Sequence, residues 1–571
     1  MKDLIIKNGI VYDPLNNIDG EKVEIHIKDG VIVDKVNGDA KIIDASEMIV
    51  MPGGVDIHSH IAGTKVNAGR QFRPDDKLEG FNEKKTKLTR SGTGWSVPST
   101  WVTGYRYAKL GYTTVVEPAM SLLKARHTHE EFTDIPIIDK AAFPLFGNNW
   151  FVMEYVKNKE LDKLAAYINW ILEATKGYAI KIVNPGGVEN WSWGKNVDSL
   201  DSNVFHFDVT PREIVKSLTK VNETLKLPHT IHVHANNLGH PGNKEHTIET
   251  FKVIEKIQAK KGRDTSFHLT HCQFNAYGGK NWGDFESGAA DVAEYLNSHK
   301  NVTIDIGQVI FAKAATTTMT ADGPWEFALH HLGGTSAWGA KPGVKWINGQ
   351  VEGESGSGIV PYFFNPKVAV NAIQWAIGLE LMLLTKNPWQ VFASTDHPNG
   401  GPFTSYPQMF RWFMDKKSRD DVLLNICSKK AAEKTQLKDI DRELTLNELC
   451  IVTRTGTAKS LGMTDRGHLG VGAIGDLAIY KLDPDKMDGH SIEKAFSLAA
   501  YTIKDGQIVV KDGEITATPN GTTICAEGEV KDDIMEAMLE DVKSHWRDHY
   551  SINFNNYAVQ KEYYPRLKIV N

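Results

Sequence analysis

Two periodicities divide this chain. Near both ends, apolar and polar positions alternate in short runs, the period of strands with one buried face. Leu4-Ile5-Ile6-Lys7-Asn8-Gly9-Ile10-Val11-Tyr12 reads as a hairpin, with Asn8-Gly9 supplying the φ > 0 turn. Val23 to Val33 repeats that grammar, and it returns at Gly475 to Tyr480 and at Thr502 to Gly513. These segments predict one small β-sandwich assembled from both termini. The long middle instead sets short apolar runs between helical stretches, the alternation of βα units. Its strand candidates are Ile49–Ile57, Thr114–Glu117, Ala142–Phe146, Ala179–Val183, Thr230–His234, Phe267–Thr270, Val302–Ile306 and Val391–Thr395. Leu161, Leu164, Ala165, Ile168, Ile171 and Leu172 mark one face of an intervening helix at 3.6-residue spacing. The expected class is α/β, a (β/α)₈ barrel with a terminal β-sandwich. Residues 1–48 and 451–526 are expected to supply the sandwich, 49–450 the barrel, and 527–571 a C-terminal helix and tail.

Composition narrows this picture little. The 571 residues suit a large barrel with insertions plus one accessory domain. The net charge of -6, without a block of like charge, gives no hint of a nucleic-acid partner. No stretch approaches the ~20 apolar residues of a membrane span, and Lys7 interrupts the only apolar run near the start, so no cleavable signal is expected. The four cysteines, Cys272, Cys427, Cys450 and Cys525, are scattered, which implies neither a disulfide framework nor an Fe–S cluster. A soluble cytoplasmic protein is expected, with no redox cofactor of its own.

The chemistry lies at the C-terminal ends of the strand candidates, where barrel active sites are built. The first ends in His58-Ser59-His60, whose two histidines share one face of an extended chain and can grip one ion. The fourth buries Lys181 among β-branched residues, which is costly for an ammonium. Carboxylation of its Nζ by CO₂ would make it an anionic ligand able to bridge two metals; the alternative is a lysine reaching a barrel-end carboxylate. The fifth ends in His234, with His232 deeper on the same face. The sixth offers His268 and His271, of which His268 is the preferred ligand. The eighth ends in Asp396, a carboxylate suited to binding metal and shuttling protons. His127-Thr128-His129 is a second H-x-H, read as a loop feature.

In this order the residues resemble the amidohydrolase superfamily, and Val233-His234-Ala235 followed by Asn236 is similar to its hydantoinase and dihydroorotase branch. Longer runs narrow the likeness: Ile61 to Arg70, Gly111 to Ala119, His268 to Gly278 and Ser394 to Phe403 resemble the A subunits of formylmethanofuran dehydrogenases. That resemblance implies two Zn²⁺ ions bridged by carboxylated Lys181 and a hydroxide, with Asp396 as the proton carrier. It implies partner subunits carrying Fe–S clusters and a tungsten or molybdenum pterin that reduces CO₂ to formate. Formate and the amine of methanofuran would condense here to N-formylmethanofuran, reversibly, in methanogenesis from CO₂. Lys65, Arg70, Arg73 and Arg106 are candidates for a basic wall against the anionic tail of that cofactor; surface charge is the alternative. Asn236, His271 and His397 are candidate substrate-orienting groups. The aromatic tail, with Trp546, Tyr550, Tyr557, Tyr563 and Tyr564, would either dock a partner or pack on its own barrel. A stand-alone dihydropyrimidinase-type enzyme and the corresponding subunit of a bacterial formyltransferase/hydrolase complex remain alternatives.

Overall fold

A computed structural model describes residues 3–72, 82–259, 262–312, 314–336, 347–351, 354–551 and 553–570. Eight parallel strands form its centre: β1 (Gly54–Asp56), β2 (Tyr112–Met120), β3 (Asp139–Pro144), β4 (Lys181–Val183), β5 (Ile231–His234), β6 (Phe267–Leu269), β7 (Val302–Asp305) and β8 (Val391–Phe392). They hydrogen-bond in two arcs, β1 to β3 and β4 to β8. Single bridges close the ring: Leu145 with Lys181 joins β3 to β4, and Ser59 with His397 joins β8 to β1. The result is a (β/α)₈ barrel. Val, Ile, Phe and Ala dominate strands that are buried on both faces, as a sheet wrapped by helices requires.

The helices form where local chemistry specifies them. Thr210 accepts from the Glu213 N–H while the Glu213 carboxylate takes the Thr210 N–H, a capping box that starts helix Pro211–Leu225. Helix Leu161–Thr175 buries Leu164, Ala165, Ile168, Ile171 and Leu172 on its inner face, at the expected positions.

Beside the barrel, a four-stranded and a seven-stranded sheet face each other across Ile6, Ile27, Ile43, Val50, Leu477 and Ile503. Leu4–Lys7 belongs to the smaller sheet and Ile10–Asp13 to the larger, so the expected hairpin at Asn8-Gly9 does not form. Instead Asn8, at φ 63°, passes the chain between sheets; alternation marks a buried face without saying which strand lies beside it. The expected strand Ile49–Ile57 is also two: Ile49–Pro52 pairs within the sandwich, and the chain enters the barrel only at Gly54. Gly53 sits at the break, where an added Cβ would stand 2.3 Å from Thr113 Oγ1. Thr523–Ala526 leaves the sandwich altogether and pairs parallel with β3, and Leu567–Val570 pairs with it in turn. Helix Asp532–His549 packs on helix Leu161–Thr175, with Trp546 and Tyr557 against each other and Tyr557 on Trp170. The aromatic tail therefore covers its own barrel.

The insertion between β7 and β8 builds a cap. Thr316–Thr320, Ile347–Val351 and Glu354–Tyr362 form an antiparallel sheet, with helix Gly323–Ser336 packed on it. Asn399, just after β8, accepts from the Met319 N–H at 2.6 Å and ties this cap to the barrel mouth.

Candidate metal centre

The first strand ends by delivering two imidazoles to one carboxylate. His58 Nε2 stands 2.9 Å from Asp396 Oδ1, and His60 Nε2 stands 3.3 Å from the same oxygen. His58 Nε2 and Asp396 Oδ1 nevertheless make no hydrogen bond and are sealed from solvent. Buried polar atoms are almost always paired. Two acceptor atoms that approach without bonding converge on a third partner, and a cation fits that requirement. Other nitrogens hold the rings in place. His60 Nδ1 lies 3.1 Å from Glu117 Oε1, whose carboxylate also accepts from the N–H groups of Ile61, Ala62 and Ala119. Glu117 is a site residue the sequence reading missed, although it closes the expected apolar run Thr114–Glu117 as His234 closes the fifth.

A second group adjoins the first. The His271 ring is edge-on to both His58 and His234, at centroid distances of 5.3 and 4.6 Å, and its Nδ1 is buried without a partner. His234 Nε2 lies 2.9 Å from Asp322 Oδ2, which leaves Nδ1 as the nitrogen for a ligand. Asp322 comes from the cap, a connection that no local pattern signals. Lys181 is buried with an unpartnered Nζ. Burial pushes its pKa down to about 7, against the pull of Asp396, Asp305 and Glu117, so much of it is a neutral amine near neutral pH. Its charge in turn depresses His58, His234 and His271, each held well below the usual histidine range by burial first. Burial likewise raises Asp396, with His60 opposing.

The remaining candidates separate. His268 stands apart from the mouth with both nitrogens engaged, Nδ1 by Thr303 Oγ1 at 2.9 Å and Nε2 by Asp305 Oδ2 at 3.0 Å. That is a satisfied core histidine, contrary to the preference for it as a ligand. Lys65 lines a crevice beside His60 and Glu117. Arg70 is committed elsewhere: it donates to Pro98 O, Asn67 Oδ1, Ile61 O and Glu131 Oε1, and so braces the loop after β1. Arg106 pairs with Glu83 at 3.1 Å near the end of helix Thr100–Lys109, beside the start of β2 and away from the mouth. Both arginines are thus ion-paired within the chain, Arg70 on the loop after β1 and Arg106 on the helix that follows it. Arg73 lies outside the described residues. Asn236 donates to Asn184 Oδ1 and Pro185 O with its own Oδ1 left unpartnered, and His397 Nδ1 accepts from the Phe403 N–H. His129 is buried on a helix with Nε2 on Thr175 O, not in a loop.

Fold and site together define a barrel hydrolase that works through metal ions. The family model "Amidohydrolase family" matches residues 41–510, and the chain belongs to that family of metal-dependent enzymes. It is 54% identical over 572 residues to Protein FwdA of Methanocaldococcus jannaschii, spanning 100% of this chain and 98% of the relative. It is 35% identical over 567 residues to the Fhc A chain of the formyltransferase/hydrolase complex of Methylorubrum extorquens, covering 98% and 97%. A crystal structure of that FhcABCD complex with methylofuran superposes with a TM-score of 0.88 at 32% identity, over 100% of this chain and 99% of the other. Among the described residues no helix is long and apolar enough to cross a membrane.

Proposed function

We propose that this chain is the amidohydrolase-type subunit of a formylmethanofuran dehydrogenase, which condenses formate with the amine of methanofuran and reverses that step by hydrolysing the formamide. The full-length match to Protein FwdA at 54% identity carries the reading. The relative crystallised with methylofuran supports a furan-containing amine as the class of substrate. We take the partners to be the subunits that make formate on a tungsten or molybdenum pterin and Fe–S clusters, in the cytoplasm.

Two divalent ions, zinc by the mixture of imidazole and carboxylate ligands, fit the orphaned atoms described above. His58, His60 and Asp396 would hold one; His234 and His271, the latter in place of His268, would hold the other. Lys181 would join them once its neutral amine has taken up CO₂. Bound there, the ions would supply Lewis acidity and a nucleophile at neutral pH.

The chain's own groups do the rest. Asp396, its pKa raised by burial, takes a proton during attack on the formyl carbon and returns it to the leaving amine. Condensation runs the same transfers backwards. Lys65 offers a cation beside His60 for an anionic group, and Asn236 Oδ1 and His397 remain to orient the substrate.

The test is formate release from N-formylmethanofuran by purified chain, with metal content measured beside a Lys181→Ala variant. Release with about two metals per chain, and loss of both in the variant, is expected. A folded, metal-loaded chain that opens hydantoin-like rings and releases no formate would sink the assignment.

A further inference from the structure

Below His58 a row of imidazoles runs down the barrel interior. His58 Nδ1 lies 2.8 Å from His232 Nε2, His232 Nδ1 lies 3.1 Å from His229 Nε2, and His229 Nδ1 lies 2.6 Å from the Ser460 carbonyl oxygen. All three rings are buried. Ser460 is in the last turn of helix Gly456–Leu461, where carbonyls lack helical partners; Tyr178 Oη takes the neighbouring Leu461 carbonyl at 2.6 Å.

A carbonyl oxygen has no proton to give, so it fixes the polarity of the whole row. His229 must carry its proton on Nδ1, which leaves Nε2 an acceptor. His232 then donates from Nδ1 and accepts at Nε2, and His58 donates from Nδ1. The Thr270 hydroxyl, which also touches His58 Nδ1, accepts a share of that proton. Reversing the row would place a bare His229 nitrogen 2.6 Å from the carbonyl oxygen, acceptor against acceptor. A neutral imidazole with its proton on Nδ1 has its lone pair on Nε2, and His58 Nε2 is the atom aimed at the Asp396 oxygen.

We propose that His229 and His232 are positioning residues that hold His58 in its Nδ1–H form, with the direction of the relay set by the Ser460 carbonyl at the floor of the barrel. This rests on reading His58 as a metal ligand. Metal-bound histidines commonly donate their other N–H to a carboxylate, a carbonyl or water; here two further histidines carry that role to a carbonyl that His58 cannot reach itself. The row also explains how His229 and His232 can be buried with no carboxylate hydrogen-bonded to either ring: each imidazole satisfies the next.

The test compares wild type with His229→Phe and His229→Gln. Glutamine keeps the pattern, with its amide N–H toward Ser460 and its oxygen toward His232, whereas phenylalanine keeps the bulk and removes both. Metal-free protein labelled with ¹⁵N-histidine reports the tautomers, and zinc affinity is read by competition with a chromophoric chelator. The expected outcome has His58 and His232 as Nδ1–H tautomers in wild type. The phenylalanine variant should lose one metal with an affinity drop of about 10–100-fold, and glutamine should restore most of it. His58 protonated on Nε2 in wild type, or a folded His229→Phe protein that binds both metals normally, would overturn the relay. So would a third metal per chain held by His58, His232 and Asp305, which also lie close enough to share an ion. If the phenylalanine variant does not fold, the wild-type tautomers decide alone. A wild type with these tautomers that binds no metal would refute the ligand reading and leave the relay standing.

Discussion

Opposite ends of the barrel bury two clusters of charge, and only one of them is a candidate site. At the floor, Asp139 begins β3 and faces Arg466 at 2.7 Å and Lys504 at 3.2 Å, while Asp476 faces Lys504 at 3.3 Å. By spacing alone Asp139, Asp476 and Asp505 could hold an ion. Two cations already do that work, and they hold Asp139 well below the usual carboxylate range despite its burial. Lys504 comes from the sandwich, so the cluster locks sandwich to barrel. At the mouth the balance is reversed. His58 Nε2, Asp396 Oδ1 and His271 Nδ1 have no partner, and the buried amine of Lys181 is unpartnered as well. Acidity in a buried cluster is thus a poor guide to function. Lone pairs that converge without a proton between them are a better one.

The sharpest break of this comparison is Asp396→Asn. The amide keeps the volume but cannot carry a proton, and its binding to a cation is weaker. Formamide hydrolysis is expected to fall by about 10²–10⁴-fold, with the denaturation midpoint of metal-free protein hardly moved. A variant with near wild-type turnover would remove Asp396 from the chemistry.

Arg466→Met probes the floor in the opposite sense. Asp139 would lose a cation at 2.7 Å and the donor on Thr114 would vanish. Breaking a buried pair by deleting one partner costs about 3–5 kcal/mol, readable by urea denaturation. Activity per folded molecule and metal content should stay at wild-type values. A loss of bound metal in this variant would mean that the two clusters are coupled.

Between these lies Glu117→Gln, whose one amide oxygen can still accept from the Ile61 and Ala62 N–H groups, while its NH2 replaces the oxygen that held the Ala119 N–H and His60 Nδ1. Metal affinity is expected to drop by about 10–100-fold, with less change in stability than in the Arg466 variant. Chelator competition reads the first and urea the second.

The barrel and its candidate ligand types were legible because they depend on local pattern: apolar runs of strand length, several of them carrying at or near their ends a residue that can bind metal. His58, His60, Lys181, His234 and Asp396 all lie in one mouth for that reason. What escaped depends on partners distant in sequence. The choice between His268 and His271 turns on Thr303 and Asp305, which occupy both nitrogens of His268 from the next strand. Asp322 reaches His234 from an insertion whose sheet no period announced. The sequence likewise shows the charges of Arg70 and Arg106 without showing Glu131 or Glu83 beside them. The sandwich hairpin failed similarly, since a two-residue period is the same for strands in one sheet and for strands in facing sheets.

The last prediction sets the unpartnered amine at the mouth against the paired one at the floor. In metal-free, CO₂-free protein Lys181 titrates at about 7, below the 10.5 of an ordinary lysine. Between those values the unfolded chain holds a proton that the folded chain has released, so this residue makes stability rise with pH across that window. Below about 7 both states are protonated, and burial of the cation is a constant penalty. Lys504 has the opposite sign: its carboxylates raise it above 10.5, so its contribution is present across neutral pH and lost only in strong alkali. Urea denaturation from pH 6 to 10 should therefore show wild type gaining on Lys181→Met as pH rises. Lys140, also near 7 by burial, adds the same slope to both proteins, so the difference between the curves isolates Lys181. Parallel curves would mean that Lys181 stays charged in the fold and finds a carboxylate, as Lys504 does, and the contrast between mouth and floor would lose its clearest physical basis.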